Sequence, residues 1–191
     1  MGEKIKREDM LENEAEIVER AKKDDQSFEI LYNFYFPKIY SYLFKRVGSF
    51  SIAEDLVSIT FLKVFTNLDK YKYKGYSFSA WIYRIATNNL IDYYRKSKGK
   101  REINIDDLKE IKDERSNEPE ELIKISEDKK LVQWVLKELP EKYQRVLYLK
   151  FFAEKSNNMI AEILETNENN TRVLIFRALR KFKEIYQKYA K

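Results

Sequence analysis

Residues 102–128 hold eleven acidic side chains against four basic ones. The stretch contains Pro119 and shows no sustained apolar period, so it has no face with which to build a core. Whatever folds must therefore fold on either side of it. Both flanks are basic. Residues 84–101 carry six bases against one acid, Asp92, and residues 170–191 carry seven against one, Glu184. Basic blocks attract phosphate and an acidic block repels it. A chain that gripped nucleic acid along its whole length would not place this much negative charge in the middle. The layout predicts two separate nucleic-acid grips and a middle segment that goes elsewhere.

The flanks read as helical. The 191 residues include only four glycines and three prolines, and alternating apolar runs are few. A hydrophobic share of 43% with 15% aromatic residues is enough for packed cores. The expected fold is all-α: two small helical domains, at 8–100 and 128–191, joined by an acidic linker over 101–127. In the first, residues 8–23 form a charged amphipathic helix. Asp24 or Asp25 caps the next, which carries Phe28, Leu31, Phe34, Tyr35 and Ile39 at three-to-four spacing. Pro37 is expected to kink or divide it, and Gly48 to end it. Ser51 and Glu54 have the form of a capping box opening a helix over 52–67, with Ile52, Leu56, Ile59, Leu62 and Val64 on a broad apolar face. A Lys- and Tyr-rich loop turning at Gly75 precedes a helix over 78–97. In the second domain, helices are expected at 129–139, 140–152 (with Pro140 in its first turn), 156–164 and 168–188. Asn167 caps the last one; a plain packing alternative for it has Ile175, Leu179, Phe182 and Tyr186 as a buried stripe, with Phe176 partly joining it. The short turn before it is the spacing of a helix-turn-helix.

Composition also excludes chemistry. With no cysteine there is no disulfide, thiol nucleophile or thiolate zinc site, and with no histidine the commonest general base and metal ligand is missing. No cofactor, metal or catalytic residue is expected, and the chain is not expected to be an enzyme. No apolar run approaches the roughly 20 residues needed to span a bilayer. The charged N-terminus lacks the apolar stretch of a signal peptide. Membrane insertion is not expected, and the cytoplasm is the expected compartment.

Two stretches, Ala53–Phe65 and Phe78–Lys96, taken together and in this order, resemble region 2 of bacterial RNA polymerase sigma factors of the small extracytoplasmic-function type. A third, Leu139–Phe152 continuing through Ile160–Leu164 to Arg177 and Ala178, is similar to region 4 of the same family. The resemblance covers about residues 13–190. It implies an alternative sigma factor that binds core RNA polymerase, recognises promoter DNA, opens it for initiation, and is often held by an anti-sigma factor.

The residue chemistry suits that role. An opened promoter needs unpaired bases held out of the stack; aromatic faces stack them and basic side chains track the backbone. Residues 71–78 interleave tyrosine and phenylalanine rings with lysines. The resemblance implies that Asn88, whose amide offers both donor and acceptor, takes a flipped base of the −10 element. Lys72, Lys74 and Tyr76 lie on the neighbouring loop, and Arg84, Arg95 and Lys96 follow along the phosphate path. Trp81 and Tyr83 read as packing residues. It further implies that the 52–67 helix docks the coiled coil of the polymerase clamp through Glu54 and Asp55, although both acids also suit a helix start on electrostatic grounds. For the −35 element it implies Arg172, Val173, Phe176 and Arg177 on a helix in the major groove. The acidic linker would thread the polymerase cleft, or else act as a solvated spacer.

Two positions depart from the family pattern. Glu165 stands where a turn glycine is usual, so that backbone is not expected to be strongly left-handed, and its charge faces the DNA side unfavourably. Leu174 replaces a common basic residue, which predicts a weaker or altered −35 grip. The rival readings are an autonomous helix-turn-helix regulator that binds duplex DNA without polymerase, a helical protein-interaction module, and a nucleic-acid enzyme. No convergent metal-binding acids support the last of these.

Overall fold

The computed structural model describes residues 11, 13–73, 77–97 and 131–189. The expectations for Lys74, Tyr76 and the acidic linker lie outside them. All regular elements among the described residues are helical. In order they are α1 (Glu14–Ala21), α2 (Asp25–Val47), α3 (Phe50–Asn67), a 3₁₀ turn (Leu68–Lys70), α4 (Phe78–Ser97), α5 (131–138), α6 (Glu141–Leu147) running into a π turn (Tyr148–Phe152), α7 (Asn157–Ile163) and α8 (Glu168–Tyr189).

The helix ends follow local chemistry. Asp24 caps α2, accepting from the Ser27 backbone N–H at 3.0 Å. Gly48 closes α2 in the left-handed region at φ 68°. Pro37 does not divide α2, which runs unbroken for 23 residues. Tyr35 and Ile39, on either side of the proline, are fully buried and hold both halves against the same core. The Ser51–Glu54 box is not used. Ser49, in extended backbone, is the N-cap of α3, and its carbonyl accepts from Ala53 N–H at 3.0 Å. The expected 140–152 helix closes as a π turn, with Ala153 N–H donating to the Tyr148 carbonyl at 2.9 Å.

A single apolar core joins both halves. Leu31, Tyr35, Ile39, Tyr42 and Leu43 of α2 meet Leu56, Val57, Phe61 and Val64 of α3 and Phe78, Ile82, Tyr83 and Leu90 of α4. The same core continues through Val146, Leu147 and Leu149 into Ile160, Ile163 and Ala178. The second half packs on the first, α7 against α4 and the π turn against α2.

One buried carboxylate ties the first half together. Glu14 of α1 accepts from the Tyr35 hydroxyl of α2, and the backbone N–H groups of Phe78 and Ser79 at the start of α4 also reach it.

Two apolar assignments from the sequence need correction. Ile59 and Leu62 of α3 are exposed, because α3 is apolar on more than one side and buries the face of Ala53, Leu56, Val57, Phe61 and Val64. On α8, Phe176 and Leu179 are exposed, while Thr171 and Ala178 are the buried residues. Small side chains sit there because α8 crosses close to α6 and α7.

Candidate nucleic-acid interface

The first surface is built on α4. Ser77 starts the helix, its hydroxyl accepting from Ala80 N–H at 3.1 Å. At the start of α4, Tyr71, Phe78 and Trp81 form an aromatic cluster with ring centroids 5.0 to 5.6 Å apart. Tyr71 is buried, with its hydroxyl proton held well above the usual phenol range by desolvation. Tyr71 is therefore a packing residue, and among the described loop residues Tyr73 is the open aromatic, 71% exposed beside exposed Lys72.

Two turns further along α4, past Trp81, adjacent asparagines divide their work. Asn89 is buried: its Oδ1 accepts from the Lys63 ammonium, and its Nδ2 donates to Thr60 Oγ1 at 3.0 Å. This stitch to α3 fixes the rotation of α4 and turns Asn88 to solvent. Sequence reading missed Asn89; the double asparagine on an otherwise apolar stretch was its signal. Further along, Arg95 pairs with Asp92 at 3.1 Å and Lys96 is exposed.

Arg84 lies apart from this exposed face. Its two terminal nitrogens reach the second half, donating to Glu165 Oε1 at 2.5 Å and to the Glu162 carbonyl at 2.6 Å. Glu165 is the residue that departs from expectation. Its φ is 54°, in the left-handed region. The turn after α7 is a Schellman motif, with Thr166 N–H bonded to the Ala161 carbonyl at 2.9 Å, and that closure requires a left-handed residue at 165. A non-glycine residue there costs on the order of 1 kcal/mol. The ion pair to Arg84 offsets part of that cost. The side chain thus faces α4, which corrects the expectation that its charge would oppose DNA. Ser77 N–H also donates to Glu162 Oε2 at 3.2 Å, and Lys155, 2% exposed, lies 4.5 Å from the Tyr83 ring centroid. We expect Glu165→Gly to leave the melting temperature unchanged or slightly higher. Relief of the backbone should match the loss of a partly exposed ion pair, itself worth about 0–1 kcal/mol. A loss above about 2 kcal/mol in thermal unfolding would mean that the pair contributes far more than this geometry allows.

The second surface is α8. Ser156 caps α7 through Met159 N–H at 3.2 Å, and Asn167 caps α8 through Asn170 N–H at 2.8 Å. With Thr171 and Ala178 facing inward, Val173 (47% exposed), Phe176 (66%) and Arg177 project outward together. Arg172 is also exposed but bonds Glu168 on its own helix at 2.6 Å.

A third surface lies on α2 and α3. Glu54 and Asp55 are exposed near the start of α3, and Phe50, Ile59, Leu62 and Phe65 are exposed along it. Beside them Phe28, Tyr32, Phe36, Tyr40 and Phe44 recur every four residues on α2, and Phe36, Tyr40, Phe44 and Phe50 stack in succession. This aromatic stripe went unread in the sequence, although its period of four was visible there.

Among the described residues no cluster of acids could hold a metal ion, and no helix is long and apolar enough to cross a membrane.

The family model for Sigma-70 region 2 matches residues 31–100, and that for Sigma-70, region 4 matches residues 130–182. The chain belongs to the sigma-70 family, in its extracytoplasmic-function group. The ECF RNA polymerase sigma factor SigW of Bacillus subtilis is 30% identical over 175 residues, covering 86% of this chain and 93% of that protein. The ECF RNA polymerase sigma factor BldN of Streptomyces coelicolor is also 30% identical, over 86% of this chain, which spans only 62% of BldN's length. Among solved structures, CnrH in complex with the cytosolic domain of CnrY aligns over 93% of this chain and 99% of that one, with a TM-score of 0.67 at 17% identity, a likeness of fold. Seen as a sigma factor, the chain has its first and third surfaces in region 2 and α8 in region 4. The Arg84–Glu165 pair then joins the two regions.

Proposed function

We propose that this sigma factor binds core RNA polymerase, recognises promoter DNA at two elements and opens it for initiation, with catalysis left to the polymerase. The observation that carries this reading is the pairing of two exposed, differently built surfaces in one family frame: Asn88 on α4 of region 2, and Val173, Phe176 and Arg177 on α8 of region 4. The proposed division is 8–100 for region 2, 101–127 for the linker and 128–191 for region 4. Region 2 would hold the −10 element, with Asn88 receiving an extruded base and Lys72, Lys74, Tyr76, Arg95 and Lys96 following the strand. Arg84 joins them once its bonds to Glu162 and Glu165 are released.

On α8, Val173 and Phe176 supply apolar contact to thymine methyls, and Arg172 and Arg177 reach guanine edges or phosphate of the −35 element. The α3 surface docks polymerase: Glu54 and Asp55 supply charge at the rim, and the exposed apolar side chains supply buried area. An anti-sigma protein is the proposed inhibitor, by analogy with RpoE of Bartonella quintana, whose structure was solved with the anti-sigma factor NepR. The site of action is the cytoplasm, where polymerase works.

The test is in vitro transcription with core polymerase on genomic fragments, with start sites mapped. Start-site choice conferred by the protein supports the reading. Tight duplex binding without any effect on polymerase would replace it with an autonomous regulator. Within that assay, Asp55→Ala is expected to weaken core-polymerase binding by about two- to tenfold, as a rim charge would. Unchanged affinity in a pull-down titration would remove Asp55 from the interface.

A further inference from the structure

Region 4 has a cationic groove beside the face assigned to base contact, sharing Val173 and Arg177 with it. It runs between α6, the turn after α7 and the start of α8, and it is lined by Lys142, Arg145, Thr166, Asn170, Val173 and Arg177. Among the described residues no acidic side chain lines it. Three other cations of α8 are paired within the helix: Arg172 with Glu168 at 2.6 Å, and Lys181 and Arg180 with the one carboxylate of Glu184 at 3.0 and 3.7 Å. Among the described residues, Lys142, Arg145 and Arg177 have no ion-pair partner. The Arg145 Nε is enclosed and lacks a hydrogen-bond acceptor, as does that of Arg84.

We propose that Lys142 and Arg145 of α6, with Arg177 of α8, seat a backbone phosphate of the double-stranded DNA that α8 reads. The proposal rests on the assignment of α8 as the major-groove helix. It adds a sequence-independent anchor on a different helix, which would fix how deeply and at what angle α8 enters. The anion is identified by position: the groove adjoins exposed Val173, so a duplex touching that side chain brings its phosphate backbone alongside. The anchor also supplies, from α6, a cationic contact that Leu174 does not provide on α8.

The experiment uses the full chain and a labelled random-sequence duplex of about 20 bp, followed by fluorescence anisotropy between about 25 and 200 mM salt. A random sequence isolates the phosphate contribution. Lys142→Gln with Arg145→Gln is expected to weaken binding about tenfold at low salt and to reduce the slope of log affinity against log salt by about 1–2. A scan of single methylphosphonates in the same duplex should find one neutral linkage that weakens the wild type and leaves Arg145→Gln unaffected. Lys142→Glu, an exposed charge reversal, gives the same direction of effect should the Arg145 variant fail to fold. Wild-type binding with unchanged affinity and slope in these variants would overturn the phosphate seat while leaving the α8 assignment standing. Absence of any duplex binding by the wild type at low salt would overturn both.

Discussion

Asn88→Ala is expected to lower promoter opening by about 10- to 100-fold while leaving binding to core polymerase unchanged. The size follows from what the side chain would do. Extruding a base costs a few kcal/mol, and each good polar contact to its edge returns roughly 1–3 kcal/mol. Alanine removes both the donor and the acceptor of Asn88. The residue is exposed, so its truncation leaves the core as it was. That separates it from Asn89, whose amide joins α3 to α4 through Lys63 and Thr60. Asn89→Ala should instead lower thermal stability and disturb every activity of region 2 together. Permanganate reactivity of unpaired thymines in the holoenzyme complex measures opening, and a pull-down titration measures assembly. Equal loss of both for Asn88→Ala would place the residue in general folding or in polymerase contact, and the base-receiving role would be abandoned.

The contrast between neighbouring asparagines shows how much of the site could be read in the chain. The helices and the helix-turn-helix spacing follow from three-to-four periodicity and capping chemistry, whereas Asn88, Val173 and Arg177 were singled out by the family resemblance. Period alone failed on α3, where Ile59 and Leu62 were read as buried. That helix is apolar nearly all round, and which side becomes core is decided by α2 and α4, distant in sequence. It failed on α8 for the opposite reason. Close helix crossing selects small residues, so Thr171 and Ala178 are buried while the larger Phe176 and Leu179 are not. Glu165 is the sharper case. Its departure from glycine was legible, but its partner Arg84 lies 81 positions away. Only the packing of α7 on α4 shows that the side chain returns interaction energy for the left-handed backbone it must adopt.

Glu14 gives the largest stability effect we expect. Its carboxyl is buried between α1, α2 and the start of α4, where it accepts from the Tyr35 hydroxyl and is reached by the Phe78 and Ser79 N–H groups. Alanine leaves the hydroxyl of a fully buried tyrosine and two helix-start amides without their acceptor. At about 1–3 kcal/mol for each buried unsatisfied group, less whatever water recovers, the loss should be about 2–4 kcal/mol. Glu14→Gln should cost less, because its carbonyl oxygen still accepts. The two variants also separate by pH. Desolvation raises the carboxyl above its ordinary value, outweighing the hydrogen bonds that lower it. A group with a raised folded-state value stabilises fully only below its unfolded value, and that contribution fades as pH rises through the folded one. Wild-type stability should therefore gain a contribution from this group as pH falls from neutrality toward about 4.5, a gain that Glu14→Gln removes. Urea unfolding of both proteins at several pH values measures the difference. Parallel pH profiles would mean that Glu14 ionises as freely in the fold as in the unfolded chain, and that its bonds to α2 and α4 do not govern how region 2 is assembled.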